Sequence, residues 1–207
     1  MRGFALLKAL LVAAAMGTAL AAASAARADE IEVRDVSLRA TEEGLVLDAD
    51  FAFELTPRLA DVVANGVPLY FRIEFELTRR RWYWFDETTA VRRLQVRLSY
   101  HALSRQYRLS TGLLQQNFPT LEEALNVLKR VRNWLVVERS VPLSGEDYEA
   151  AVRMRHDASL LPKPFQISAL TGRDLHLESP WRRFTVRRLQ QAPAPVEIRE
   201  LQGVPPR

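Results

Sequence analysis

The clearest pattern in the sequence is a strict alternation of apolar and polar side chains between residues 69 and 78. One parity is entirely apolar and consists of Leu69, Phe71, Ile73, Phe75 and Leu77. The other parity is mostly polar and consists of Tyr70, Arg72, Glu74, Glu76 and Thr78. A period of two residues is typical of a β-strand that buries one face and exposes the other. We therefore predict a long central strand whose charged side chains form cross-strand pairs on a solvated face.

The segment that follows this strand, residues 79–85, breaks the alternation. A β-bulge at Arg79–Arg81 would shift the phase and turn Trp82 and Trp84 inward, whereas without a bulge both faces would have to be covered. Two interpretations of the tryptophans stay open. They form an exposed platform beside three arginines, or they are core aromatics over which the arginines lie. The candidate interaction surface consists of Arg79, Arg80, Arg81, Trp82 and Trp84.

Shorter alternating segments predict strands on both sides of the central one. They lie at residues 31–38, 45–53, 91–101, 106–110, 135–139 and 148–155, and a last strand contains Phe184 and Val186. The phase of the first strand slips near Arg34, and the segment 148–155 also fits a helix. Most of the connections are short, which favours antiparallel pairing.

Two segments carry helix signals. A short helix begins with Thr56 as its N-cap and ends before Gly66. A longer helix is predicted from about residue 120 to residue 134, because Thr120 and Glu123 form a capping box and apolar residues follow at helical spacing. These elements together predict a mainly β fold, an antiparallel two-sheet sandwich with one long helix and one or two short helices. The alternative is an α+β fold in which the helix packs on a single antiparallel sheet.

The N-terminus has the composition of a secretory signal peptide. Arg2 and Lys8 flank the start of an apolar run rich in Ala and Leu, and the segment 26–28 offers a small-residue cleavage pattern. We expect residues 1–28 to be the leader, 29–189 a single β-rich domain and 190–207 a Pro-rich disordered tail. The expected location is the periplasm. The competing interpretation is an uncleaved inner-membrane anchor, since the 18 uncharged residues 9–26 are just long enough to span.

Composition narrows the classes of partner. The chain has 29 Lys and Arg residues against 25 Asp and Glu residues. The leader holds three of the basic residues and no acid, so the part that follows it has 26 against 25 and is almost neutral. This balance gives no basis for nucleic-acid binding, which needs a concentrated basic face. The chain has no cysteine, which excludes disulfides and thiol chemistry, and nothing after the leader is predicted to span a membrane.

No sequence motif for catalysis, a cofactor or a metal is found. The histidines His101, His156 and His176 are widely spaced, although the first two fall on strand faces that we predict to be outward. Together with Asp157 and Ser159 they offer the residue types of a hydrolase, but not a defined spacing. We therefore expect no catalytic, cofactor-binding or metal-binding residue and no cofactor, with a hydrolase as the alternative.

Several segments are distinctive as a set. They are R-R-W-Y-W-F-D-E at Arg80–Glu87, R-L-S-Y-H-A-L-S-R-Q-Y-R-L-S-T-G at Arg97–Gly112, F-P-T-L-E-E-A-L at Phe118–Leu125 and S-L-L-P-K-P-F-Q at Ser159–Gln166. With the leader, they resemble a family of exported proteobacterial proteins that is known as a domain of unknown function. The resemblance covers about Ile31 to Val186. It transfers no catalytic residue, since the family has no established activity.

The resemblance also implies a biological setting, because members of that family are often encoded beside a nitrogen-regulation-type sensor kinase. We expect a periplasmic, non-enzymatic interaction or accessory module, with an envelope or inner-membrane protein as its partner. The alternative is a protein that binds an envelope glycan or another small ligand through Trp82 and Trp84, because indole rings stack on the apolar faces of sugars.

Overall fold

The computed structural model describes residues 30–79, 87–143, 148–165 and 175–186. The predicted leader (1–28), the predicted tail (190–207) and the tryptophans and bulge predicted after Arg79 lie outside the described residues. Within the described ranges, no helix is both long enough and apolar enough to cross a membrane.

In these parts of the chain, nine strands form two antiparallel sheets. The strands are β1 (Glu32–Ala40), β2 (Gly44–Ala52), β3 (Leu69–Arg79), β4 (Glu87–His101), β5 (Gln106–Thr111), β6 (Leu114–Phe118), β7 (Arg130–Glu138), β8 (Tyr148–His156) and β9 (Arg182–Val186). The smaller sheet has the order β1-β2-β7, and the larger sheet has the order β6-β5-β4-β3-β8-β9. The predicted fold class, a mainly β antiparallel sandwich, is confirmed.

Strand β3 lies inside the larger sheet between β4 and β8. Its apolar parity is completely buried, as the alternation predicts: Leu69, Phe71, Ile73, Phe75 and Leu77 are each 0% exposed. The opposite parity points away from the second sheet. The strand therefore supplies the centre of the core on one face and the centre of a polar surface on the other.

The smaller sheet has two irregularities that follow from its sequence. The predicted slip of phase in β1 is a bulge at Arg34, because Val33 pairs with Phe51 and Asp35 pairs with Asp50. The turn between β1 and β2 ends at Gly44, whose φ angle is 144°. A Cβ atom on this residue would lie 2.0 Å from the carbonyl oxygen of Val137 on β7, so only glycine fits here.

Helix α1 (Pro57–Ala64) confirms the shorter helix prediction. The Oγ1 atom of Thr56 accepts a hydrogen bond from the backbone N–H of Leu59 at 3.2 Å, and Pro57 opens the first turn. Leu59, Val62 and Val63 are buried against the sheets. The chain leaves the helix at Gly66, which has a φ angle of 85°.

Helix α2 (Leu121–Leu128) begins as predicted but ends early. Thr120 accepts from the backbone N–H of Glu123 and donates to its carboxylate, so the predicted N-cap at Thr120 and its pairing with Glu123 are confirmed. The prediction that this helix runs to residue 134 is wrong. The chain turns at Lys129 and continues as β7, because residues 130–138 contain three valines and pair with the free edge of β2.

Two further strands bear on the sequence predictions. Strand β8 resolves the open choice between helix and strand for residues 148–155 in favour of a strand. Strand β6 was not predicted, since Leu114–Phe118 has little alternation of apolar and polar side chains. It pairs with β5 through a two-residue turn formed by Gly112 and Leu113.

The two sheets pack through one buried cluster of apolar residues that also includes residues of both helices. Phe53, just after β2, stacks on Phe71 of β3 with ring centroids 5.7 Å apart. A hydrogen-bonded ion pair of 2.7 Å between Arg92 on β4 and Glu138 on β7 joins the two sheets. These contacts leave the outer face of the larger sheet as the place where the polar side chains of β3 collect.

Candidate functional site

The outer face of the larger sheet is rich in arginine. Strand pairing places seven arginines on the same outward parity as the polar side chains of β3, and we call this surface the outer arginine face. Its arginines are Arg72, Arg93, Arg97, Arg108, Arg153, Arg155 and Arg183. Among the described residues, the carboxylates at outward positions are Glu74, Glu76, Glu149 and Glu178, and Asp157 follows directly after β8. Positive charge is therefore in excess on this face.

Glu74 lies at the centre of the outer arginine face and is only 5% exposed. Its carboxylate accepts a hydrogen bond from Nε of Arg153 at 2.6 Å and one from Nη2 of Arg155 at 3.4 Å. Nε of Arg93 lies 3.7 Å from the same carboxylate. The register explains this arrangement, because Arg93 and Arg153 stand directly opposite Glu74 on the two neighbouring strands. The predicted cross-strand pairs are confirmed, but the prediction of a solvated face is wrong for Glu74.

A second carboxylate holds the next arginine along the strand. The carboxylate of Asp157, which is 6% exposed, accepts hydrogen bonds from the guanidinium of Arg72 and from Oγ of Ser159, the latter at 2.6 Å. Burial raises the pKa of Asp157, but the hydrogen bond from Ser159 and the positive charge of Arg72 outweigh it, so the pKa is lowered overall. Asp157 therefore stays ionised and fixes the position of Arg72 at neutral pH.

These carboxylates leave guanidinium donors unused. An arginine has five N–H donors, and Arg93 is two-thirds exposed even though it contacts Glu74. Nε of Arg155 is buried and has no hydrogen-bond partner within the described part of the chain. Arg153 lies over the ring of Trp181, with its Cζ atom 4.5 Å from the ring centroid. The arrangement can bind carboxylate or phosphate oxygens through guanidinium groups whose positions are already set.

A cleft of about 1230 Å³ has Trp181 among the residues that line it. It is bordered by the start of β1, the end of β2, the start of β7 and the segment Pro180–Arg182. Its lining is charged with both signs and includes Asp50 and Arg132, which form an ion pair of 2.5 Å. The volume is sufficient for a small ligand, and Trp181 offers an aromatic wall.

A comparison with family models gives one match, to the description "Domain of unknown function (DUF4390)", over residues 28–185. The chain belongs to this family. Comparisons with curated proteins and with solved structures give no match. The match covers most of the chain, including all nine described strands except the last residue of β9. The predicted membership of an uncharacterised family is confirmed.

In this DUF4390 chain, the interaction surface predicted from the sequence is described at one residue only. Arg79 ends β3, where it pairs in register with Glu87 on β4 and Tyr148 on β8. Arg80, Arg81, Trp82 and Trp84 lie outside the described residues. The exposed platform and the core aromatics therefore both stay predictions.

The two histidines predicted on outward faces lie on opposite sides of the sheet. His101 is exposed, and its Nδ1 atom lies 3.0 Å from Oγ of Ser104. His156 is 7% exposed, because it continues the inward parity of Met154, so the prediction of an outward position is wrong for this residue. Its Nδ1 atom donates to the carbonyl oxygen of Leu175 at 3.0 Å. Within the described residues, neither ring nitrogen of His156 is hydrogen-bonded to Asp157 or Ser159.

Burial also sets the charge state of His156. Desolvation lowers its pKa, and the hydrogen bond to Leu175 and the negative charge of Asp157 offset this only in part. The ring packs on Phe71 with centroids 5.7 Å apart, so the histidine behaves as a neutral core residue. Across the described ranges, no group of three or more His, Asp or Glu side chains is arranged to hold a metal ion.

The sequence contains little that singles out Glu74 or Trp181. Glu74 reads as one of several acids on a polar strand face, and its burial depends on arginines that the pairing of β4 and β8 brings beside it. The one signal in the sequence for the burial of Glu74 is its position within the strand. An acid in the middle of the longest apolar alternation will lie inside the sheet, where cross-strand neighbours on both sides can cover it.

Proposed function

We propose that this protein is an exported, non-enzymatic interaction module of the bacterial envelope, and that its partner binds on the outer arginine face. The observation that carries the proposal is the pair of buried carboxylates, Glu74 and Asp157, which hold arginines in place on a face where arginines outnumber acids. A surface whose side chains are already ordered loses less conformational entropy on binding.

The chemistry of this face favours an acidic protein segment as the partner. Guanidinium groups bind carboxylates in a planar, two-pronged geometry and are common at protein interfaces. Arg93 and Arg97 on β4 are exposed and carry this charge to the surface. The segment 79–84, with three arginines and the tryptophans Trp82 and Trp84, stays a second candidate for this partner on the basis of the sequence alone.

The location and the partner class rest on the sequence. The leader-like residues 1–28 support export to the periplasm. The resemblance to exported proteins encoded beside nitrogen-regulation-type sensor kinases supports an accessory role in membrane sensing. A periplasmic segment of such a kinase is therefore the first partner to test.

The experiment is a crosslinking pull-down of the tagged protein from intact cells, followed by mass spectrometry. We compare the unchanged protein with the double variant Arg93→Glu and Arg97→Glu. The control is Arg58→Glu, because Arg58 is exposed on helix α1, away from the outer arginine face. We expect an envelope protein with an acidic periplasmic segment, lost in the double variant and kept in the control. The proposal is wrong if no such protein is recovered, or if both variants recover it equally.

A second candidate function is the binding of an envelope glycan or another small ligand, and the cleft beside Trp181 is the observation that favours it. Trp82 and Trp84 would supply further stacking rings. The test is calorimetry with soluble peptidoglycan fragments on the unchanged protein and on Trp181→Ala, Trp82→Ala and Trp84→Ala. Heat of binding that any of these variants abolishes while the fold is kept would support this candidate. The absence of heat with the unchanged protein would exclude these glycans.

A further inference from the structure

Within the described part of the chain the two sheets end in four edge strands, and these edges differ in how they are protected. Free edges are usually protected from pairing with other chains by charged residues, prolines or bulges. Strand β1 carries charges and one shift of register, near Arg34, and strand β7 carries charges and two shifts of register, near Asn133 and Val136. Strand β9 carries Arg182 and Arg183. Strand β6 has the sequence L-Q-Q-N-F, with no charge and no proline, and it pairs with β5 in an unbroken register.

The same edge also exposes apolar side chains. Leu113 and Leu114 are 101% and 74% exposed, and they stand at the turn that begins β6. Gln115, Gln116 and Asn117 are exposed as well. An exposed pair of leucines beside an uncharged strand edge is typical of a surface that another chain covers.

The pairing of β5 with β6 indicates which backbone groups face outward. Thr111 and Leu114 close the two-residue turn, so Leu114, Gln116 and Phe118 are the residues whose backbone groups bond to β5. Hydrogen-bonded and non-hydrogen-bonded positions alternate along an antiparallel ladder. The backbone N–H and C=O groups of Gln115 and Asn117 therefore point to the free edge.

We propose that β6 pairs antiparallel with β6 of a second copy of this chain. The proposal is independent of the function proposed for the outer arginine face. In the pairing, Gln115 of one copy stands opposite Asn117 of the other, so the outward backbone groups meet. Gln116 stands opposite Gln116 on the two-fold axis, and Leu114 stands opposite Phe118. The two larger sheets then form one continuous sheet.

A second copy fits this edge better than an unrelated strand, because the edge is complementary to itself. Read in either direction, the five residues of β6 are apolar, amide, amide, amide and apolar. Antiparallel pairing about Gln116 therefore sets apolar residues against apolar residues and amides against amides. A shift by one residue would set Leu114 against Asn117. Because β6 carries no charge, the two paired strands add no electrostatic repulsion of their own.

The first experiment measures the mass of the purified protein in solution by light scattering and analytical ultracentrifugation. We expect a dimer whose population rises with concentration. Gln116→Lys should convert it to a monomer, because the two introduced ammonium groups would face each other at the closest pair of the interface. Leu103→Lys is the control, since Leu103 is 94% exposed at the opposite end of β5 and gains the same charge. Circular dichroism checks that both variants fold.

The second experiment tests the register and does not depend on the lysine variant folding. The chain has no cysteine, so a single introduced cysteine can form a disulfide only with the same cysteine of a second copy of the chain. Gln116→Cys should crosslink on mild oxidation, because the Cα atoms of a non-hydrogen-bonded antiparallel pair lie within disulfide range, at about 4.5 Å. Gln115→Cys should crosslink far less, because it faces Asn117. The proposal is overturned by a monomer at every concentration tested, or by a dimer that Gln116→Lys leaves unchanged. Equal crosslinking of both cysteine variants would overturn the register.

Discussion

Nε of Arg153 donates to Oε2 of Glu74 across the pair of strands β8 and β3 at 2.6 Å, and Glu74 is almost fully buried at the centre of an otherwise polar sheet face. A buried carboxylate costs free energy unless it is paired and hydrogen-bonded. The arginines around Glu74 supply this pairing, and the negative charge of the carboxylate in turn reduces the electrostatic repulsion between the arginines. Acid and arginines are therefore interdependent.

Replacing Glu74 should reveal this dependence. We expect Glu74→Gln to lower the free energy of unfolding by about 2 kcal/mol, because Arg153 and Arg155 lose a charged acceptor but stay partly solvated. Urea unfolding followed by circular dichroism measures this change. Glu76→Gln is the matched control, since it lies on the same strand and the same face but forms no ion pair within the described residues. Equal losses in the two variants would contradict the role assigned to Glu74.

Gly44 should tolerate no side chain. We expect Gly44→Ala to destabilise the protein by about 3 kcal/mol or more, because a φ angle of 144° is strained for alanine and its Cβ would meet Val137 at 2.0 Å. Gly112→Ala is the comparison, since Gly112 also has a positive φ angle, 57°, but has nothing within 4 Å of the added atom. That variant should cost about 1 kcal/mol. Thermal and urea unfolding measure both, and similar costs would show that the contact with β7 does not matter.

The protein should become less stable as the pH is lowered, because His156 is buried. Its pKa is lowered in the folded state by burial, so the unfolded chain binds a proton more readily below pH 6.5, the ordinary pKa. Stability is complete above that pH and decreases as the pH falls toward the folded-state pKa, by less than about 1.4 kcal/mol per pH unit for one proton. The pKa of Asp48 is lowered because its carboxylate accepts a hydrogen bond from the backbone N–H of Asn133, and that of Asp157 is lowered as described above. The contribution of both groups to stability is lost only at more acidic pH, around and below 3.8.

The measurement is the free energy of unfolding in urea between pH 5 and pH 8. His156→Gln should flatten the curve in this range, because glutamine does not titrate and keeps an N–H donor for the carbonyl of Leu175. If the slope persists in His156→Gln, another group is responsible for it.

The fold class could be predicted from the sequence because the burial of β3 is encoded in its own residues. Each residue from Leu69 to Leu77 alternates in polarity, and the alternation alone predicts which face is inside. Helix α2 shows the limit of this reasoning. Val131 and Leu135 fit the helical spacing as well as a strand, and what decides in favour of β7 is its pairing with β2, which is distant in the sequence.

The candidate site was less predictable for the same reason. The hydrogen bond from Arg153 to Glu74 joins residues 79 positions apart, and no local pattern indicates that they meet. Strand β6 depends on the turn at Gly112 rather than on the polarity of its own residues. Local periodicity therefore predicts elements and faces, whereas the charged cluster requires the order of the strands.

The place of β8 beside β3 also has a consequence for the growing chain. The chain emerges from its N-terminus, so Glu74 emerges 79 residues ahead of Arg153. During that interval β4 can close one edge of β3, but the other edge waits for β8. A nascent chain that stops before residue 148 would expose this edge to other chains. The risk that the edge of β3 pairs with another chain therefore depends on how soon β8 follows β3.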